Sequence, residues 1–287
     1  MRITPTLAAV PLLAVTLVAC DGTTSSDQAE LVATTGVWAD VASAVTGNDV
    51  PAILTGTSID PHHYEPTAQD LARVKDANTV IANGGGYDAA LYEVAEQDRV
   101  INAFDLAGLD DAHDHGHDDH HDHDDHHDHS VNEHVWFSPD AITAVAKEVE
   151  AKVGGDATEV ESRMAELKQK IADLPHLHVA QTESIADHLI AGSAMEDTTP
   201  AEYRKAALNH GEASASAVAS FIQEIEDGHV DVLIVNPQSM TSAAQRIVDA
   251  ATATNTTIVE ITEIPPAGTS VLDYVEQIAD ALVESAQ

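Results

Sequence analysis

Residues 110–129 hold nine histidines, nine aspartates, one alanine and one glycine, in near alternation. Such a stretch has nothing to bury and is expected to be disordered without metal. Any fold must therefore be assembled from the segments on either side of it. Acidity alone would need no histidine. Neutral imidazoles and carboxylates at this density form many weak, interchangeable cation sites. His113, His115, His117, His120, His121, His123, His126, His127 and His129 are accordingly assigned to an auxiliary metal-collecting surface. A disordered tract offers no single geometry, so the selective site is expected elsewhere in the chain.

The flanking segments are long enough to fold. A chain of 287 residues, 44% of them hydrophobic, allows one large domain or two of about 120–140 residues. Short apolar runs alternate with helical patterns. Strands are expected over residues 30–34, 50–54, 79–82 and 99–103, with helices over 37–45, 67–77 and 87–97 between them. The alternation restarts with strands over 176–181, 232–235 and 257–261, and helices over 184–190, 214–226, 239–253 and 270–284. This is the pattern of parallel sheets with covering helices, so the fold class is α/β with two lobes. Helices over 139–153 and 156–173 lie between the halves. The second carries Val160, Met164, Leu167 and Ile171 at i, i+4, i+7 and i+11, an amphipathic helix suited to a rigid strut.

The expected organisation is a signal over 1–19, a tether over 20–29 and an N-terminal lobe over 30–155 with the insert at 110–130. A linker helix follows over 156–174, then a C-terminal lobe over 175–287. Arg2 and the apolar run over 7–19 read as a secretory signal, too short for a comfortable span of about 20 residues. No other segment is expected to cross a membrane. The signal ends in Leu17-Val18-Ala19-Cys20, which resembles a bacterial lipobox. That resemblance implies a diacylglycerol on Cys20 and a mature chain held outside the cytoplasmic membrane. The chain is expected to be a monomer.

Composition excludes several classes. With 12 Lys and Arg against 49 Asp and Glu, the formal charge is −37, which argues against nucleic acid and favours cations. A single cysteine leaves no internal disulfide and no cysteine-rich zinc finger. Only 3% of residues are aromatic, too few for a stacking platform. There is no His-Glu-x-x-His motif and no base beside a nucleophile, so the chain reads as a binder, not an enzyme.

Ligands of open α/β sheets bind beyond the carboxyl ends of strands. Titratable residues follow three of the predicted strands and the insert. They are His62 and His63 after the second strand, Glu133 and His134 after the insert, Glu183 after the first strand of the second half, and Glu263 after the last. Two imidazoles and two carboxylates would suit a closed zinc site, with manganese(II) also possible.

The segment Asp60-Pro61-His62-His63-Tyr64-Glu65-Pro66, with Asp70 following, resembles the first ligand loop of the zinc/manganese substrate-binding proteins of ABC transporters. His134-Val135-Trp136-Phe137-Ser138-Pro139 resembles their second, and a His-rich insert stands before it, as in zinc-specific members. The resemblance covers the whole mature chain. It implies His62, His134, Glu183 and Glu263 as the metal ligands, zinc as the cargo with manganese as the alternative, and an ABC permease and its ATPase as partners. His210 is the rival for the third position, and His63 flanks the first. Asp60 and Glu65 are candidates to orient imidazole nitrogens. His176, His178, His188 and His229 are assigned to structure or surface. The chain departs from the family at Asn236, where an acidic residue is usual, and between Trp136 and Glu183, which is shorter than usual. A surface metal buffer or adhesin without transport is the competing function.

Overall fold

The computed structural model describes residues 31–55, 64–108, 132–209 and 211–286. The expected signal and tether, Cys20, Asp60, His62, His63, the histidine tract and His210 lie outside the described residues.

Strands β1 (Leu31–Thr35), β2 (Ala52–Leu54), β3 (Thr79–Ala82) and β4 (Val100–Asn102) form one parallel sheet in the order β2-β1-β3-β4. Strands β5 (His178–Gln181), β6 (Glu196–Asp197), β7 (Val232–Val235) and β8 (Thr257–Glu260) form a second in the order β6-β5-β7-β8. The two halves thus repeat one topology without repeating a sequence. Strands β1, β3 and β7 are buried along their whole length, as expected of parallel strands covered on both faces.

The helices of the first half are α1 (Gly36–Thr46), α2 (Ala68–Asp76), α3 (Ala89–Tyr92) and α4 (Ala103–Leu106). Helix α3 is far shorter than the 87–97 expected. Its end tightens into a turn in which Ala95 N donates to Tyr92 O at 3.0 Å, and the chain swings back to begin β4. Helices α5 (Pro139–Val153) and α6 (Thr158–Ala172) connect the halves. Ser138 caps α5 by accepting from Ala141 N, and Pro139 sits where its missing N–H costs nothing. The second half adds α7 (Asp187–Ile190), α8 (Ala201–Leu208), α9 (Ala215–Glu226), α10 (Ser242–Thr254) and α11 (Val271–Glu284).

Helix α6 buries Val160, Met164, Leu167 and Ile171, the stripe that the spacing predicts. Its neighbours are α5, α1 and α11. Arg163 reaches from α6 to Asp273 at 2.6 Å and Glu276 at 2.8 Å on α11. Helix α11 also packs on α1, and Val271 N donates to the Asp40 carboxylate at 2.8 Å. One apolar core consequently runs through both halves, from Trp38 and Ile81 through Trp136 and Met164 to Ile234 and Leu282. Separate smaller cores fill the outer faces of the two sheets.

Candidate metal centre

In each sheet the connections reverse between the first and third strands of its half. That is the crevice where open α/β sheets bind ligands, beyond the strand ends. In the second half, Glu183 follows β5 and Asn236 follows β7, on either side of this point. Glu263 follows β8. His134 arrives from the first half, one residue before a 3-10 turn over Val135–Phe137.

His134, Glu183 and Glu263 each place one ligand atom within 4.8 Å of the others. His134 Nε2 lies 3.3 Å from Glu183 Oε1 and 3.8 Å from Glu263 Oε1. His134 and Glu263 are both only 5% exposed, so water screens their charges weakly. Burial pushes the His134 imidazole down, but hydrogen bonds to and charges on Glu183 and Glu263 outweigh it. They raise its pKa from 6.5 to about 9. At neutral pH the imidazole therefore holds a proton between two acids, a place a dication can take.

The His134 ring is fixed from behind. Asn132 Oδ1 accepts from His134 N at 3.0 Å and lies 2.7 Å from His134 Nδ1. That amide oxygen only accepts, so Nδ1 carries the hydrogen and Nε2 faces the carboxylates. Asn132 is itself held across the cleft. Its Nδ2 donates to Ser184 O and, at 2.9 Å, to Asp187 Oδ2, while His188 Nε2 lies 2.9 Å from Asn132 O. Asn83, at the end of β3, donates to Glu133 O at 2.9 Å and accepts from Trp38 Nε1 at 3.1 Å. Trp136 packs edge-on to His134 at 5.2 Å and against Tyr87 at 4.8 Å.

Asn236 is 1% exposed. Its Nδ2 donates to Glu183 Oε2 at 2.7 Å and lies 3.5 Å from Glu263 Oε1. Glu183 also accepts from Ser239 Oγ, and Glu263 accepts from Tyr87 OH at 3.3 Å. Asn236 thus supplies a neutral amide bridging two carboxylates, where a third negative charge would repel them.

Of the residues singled out from the sequence, His134, Glu183 and Glu263 meet; His62, the fourth, lies outside the described residues. Tyr64 OH donates to Asp70 Oδ2 at 2.7 Å, and Thr67 and Asp70 form a reciprocal cap on α2. These bonds pin the chain just after the segment that carries His62. Glu65 is exposed, and the histidines it was expected to orient lie outside the described residues; for His134 the orienting acceptor is Asn132. His188 is structural, and His229 is a surface residue 2.8 Å from Glu224. Asn132 and Asn236 were not assigned to the site from sequence. The i, i+2 spacing of Asn132 and His134 is a signal for the first; an asparagine at a strand end is one for the second.

The profile of the family described as zinc-uptake complex component A, periplasmic, matches residues 31–285. The chain belongs to this family. The zinc-uptake component family consists of metal-binding substrate-binding proteins of ABC transporters, not enzymes, as the motifs imply. A stretch of 84 residues is 32% identical to the manganese ABC transporter substrate-binding lipoprotein PsaA of Streptococcus pneumoniae serotype 4, covering 28% of this chain and 27% of that relative. Another of 73 residues is 33% identical to the iron ABC transporter substrate-binding lipoprotein MtsA of Streptococcus pyogenes serotype M1, covering 24% of each. The alignments thus span about a quarter of these curated relatives. Among solved structures, the substrate-binding protein FpvC of Pseudomonas aeruginosa in complex with Mn2+ superposes with a TM-score of 0.65 at 19% identity, over 90% of this chain and 97% of that one. The periplasmic zinc-binding protein TroA of Treponema pallidum gives 0.62 at 18% identity, over 89% and 98%. Both show the same two-lobed α/β fold as this member of the zinc-uptake component family.

Proposed function

We propose that the chain is an extracytoplasmic zinc-capturing protein, tethered by a diacylglycerol on Cys20, that hands its ion to an ABC permease driven by an ATPase. The observation that carries this reading is the convergence of His134 Nε2 with two carboxylates from the opposite half, within 4.8 Å and buried. His62 completes the set as a second imidazole. Two carboxylates neutralise a dication, so the filled site can be buried at tolerable cost. Four protein ligands leave no position for an activated water, consistent with binding in place of hydrolysis. The tract over 110–129 concentrates zinc and feeds the cleft. Release follows when the permease tilts one lobe against the other about α6.

Manganese is the second reading. Carboxylate oxygens suit that harder ion, and the paired acids Glu183 and Glu263 supply them. The deciding experiment is competitive loading of the mature chain with zinc and manganese at neutral pH, followed by elemental analysis. Zinc in the tightest site supports the first reading, and manganese retained against equal zinc supports the second. Acidification should weaken either ion, because protons compete for the imidazole nitrogens. Affinity unchanged in mild acid would contradict imidazole ligation altogether.

A further inference from the structure

A second group of ligating side chains sits at the other end of the second sheet. His176, His178 and Glu196 each offer one ligand atom, and these lie within 4.8 Å of one another. The strand ladder assembles them. His178 of β5 stands opposite Glu196 of β6 in the parallel register. Glu196 N donates to Leu177 O at 2.9 Å, so the pairing continues one residue before β5. Residues two apart in extended backbone share a face, which brings His176 beside His178. Their rings meet edge to face with centroids 5.1 Å apart.

Both rings are backed by acceptors. His176 Nδ1 lies 2.9 Å from Ala194 O. A carbonyl only accepts, so Nδ1 carries the hydrogen and Nε2 keeps its lone pair for a cation. His178 Nδ1 faces the Asp231 carboxylate at 3.7 Å, and the same carboxylate accepts from His178 N at 2.8 Å. Outer acceptors of this kind orient metal-ligating histidines. The rings are not core packing, for His176 and Glu196 are exposed and His178 is partly so.

We propose that His176, His178 and Glu196 form a second, solvent-open site for a divalent cation of the zinc type. Two imidazoles and one carboxylate favour zinc over magnesium or calcium, which prefer all-oxygen sites. Water completes the coordination, so the ion exchanges readily. The site cannot share the cleft's ion. His178 opens β5 and Glu183 lies past its other end, beyond Gln181, so the strand alone sets them about 10 Å apart at about 3.3 Å per residue. The surrounding charge of −37 raises the local cation concentration around such an open site.

The test is a titration of the full mature chain with zinc chloride, followed through the ring nitrogens of individual histidines by NMR. The tract's own zinc does not obscure this readout, because each ring is observed separately. His176 and His178 Nε2 should shift with one common midpoint. In Glu196→Gln, an exposed and nearly isosteric change, that midpoint should rise at least the roughly tenfold that loss of an outer partner already costs. The His134 midpoint should stay in place, reporting an intact cleft. Separate midpoints for the two rings, no shift at millimolar zinc, or a midpoint indifferent to Glu196→Gln would each overturn the assignment.

Discussion

Asn132 is the residue on which the orientation of His134 depends. Replacing it with alanine removes the acceptor at Nδ1 and the donor that ties the ring to Ser184 and Asp187. Asn132→Ala should weaken ion binding about 10- to 100-fold, measured by competition with a chelator of known affinity. An unchanged affinity would show that packing against Trp136 alone positions the ring. Asp88 gives a second residue-scale prediction. Its buried carboxylate accepts from Asn83 N at 2.7 Å and Gly84 N at 2.9 Å, yet burial outweighs these bonds and raises its pKa from 3.8 to about 6. The folded state therefore holds a proton that the unfolded chain has lost between these values. The contribution of this ionisation to stability is full below 3.8 and fades as pH rises to about 6. The Asp88 carboxyl carbon should titrate near 6 by NMR, and the stability advantage over Asp88→Asn in urea should shrink across that window. A midpoint near 3.8, or an advantage that grows, would contradict the burial argument. His134, Glu183 and Glu263 were readable from sequence because each stands where a strand, or the break after the insert, ends. Asn132 was not, because its role rests on which carbonyl and carboxylate the opposite half presents to it.

At the scale of elements, the turn after β3 and the strut carry testable consequences. Gly84 has φ +87, and a Cβ there would lie 1.8 Å from Asn102 Oδ1. Asn102 caps α4 by accepting from the amides of Phe104 and Asp105, so the two cannot coexist unchanged. Gly84→Ala should cost about 1–3 kcal/mol by urea unfolding and loosen the adjoining Gly86–Glu133 contact beside His134. Retained stability would mean that Asn102 has another rotamer open to it. Leu167→Ala on α6 should cost about 2–5 kcal/mol, since Leu167 is 2% exposed in the shared core. A loss well under that range would mean that the strut contributes little to the union of the lobes. Most elements were legible as alternating apolar runs and helical periods. Strand β6 was not, being two acidic residues whose only strand signal is pairing with β5. Helix α8 did carry a local signal, Pro200 followed by strong helix formers, and it was missed.

For the whole molecule, a charge of −37 attracts dications from beyond contact distance. The association rate of zinc should fall as ionic strength rises, because salt screens that field; stopped-flow mixing at low and high salt measures it. A rate insensitive to salt would place capture at the cleft alone. Removing residues 110–129 should lower the number of zinc ions held while sparing the tightest one, as counted by equilibrium dialysis. Loss of the tightest ion would move the selective site into the tract. The α/β class and two-part plan could be read from the alternation of runs, whereas the docking of α11 on α1 could not. Periodicity shows that a helix has an apolar face; it does not say which distant element covers that face.

That docking has a consequence for how the two halves come together. Helix α11, which follows every strand of the second half, supplies part of the wall against which α1 of the first half rests. Neither half completes its shared core alone, so the two should open and close as one cooperative unit.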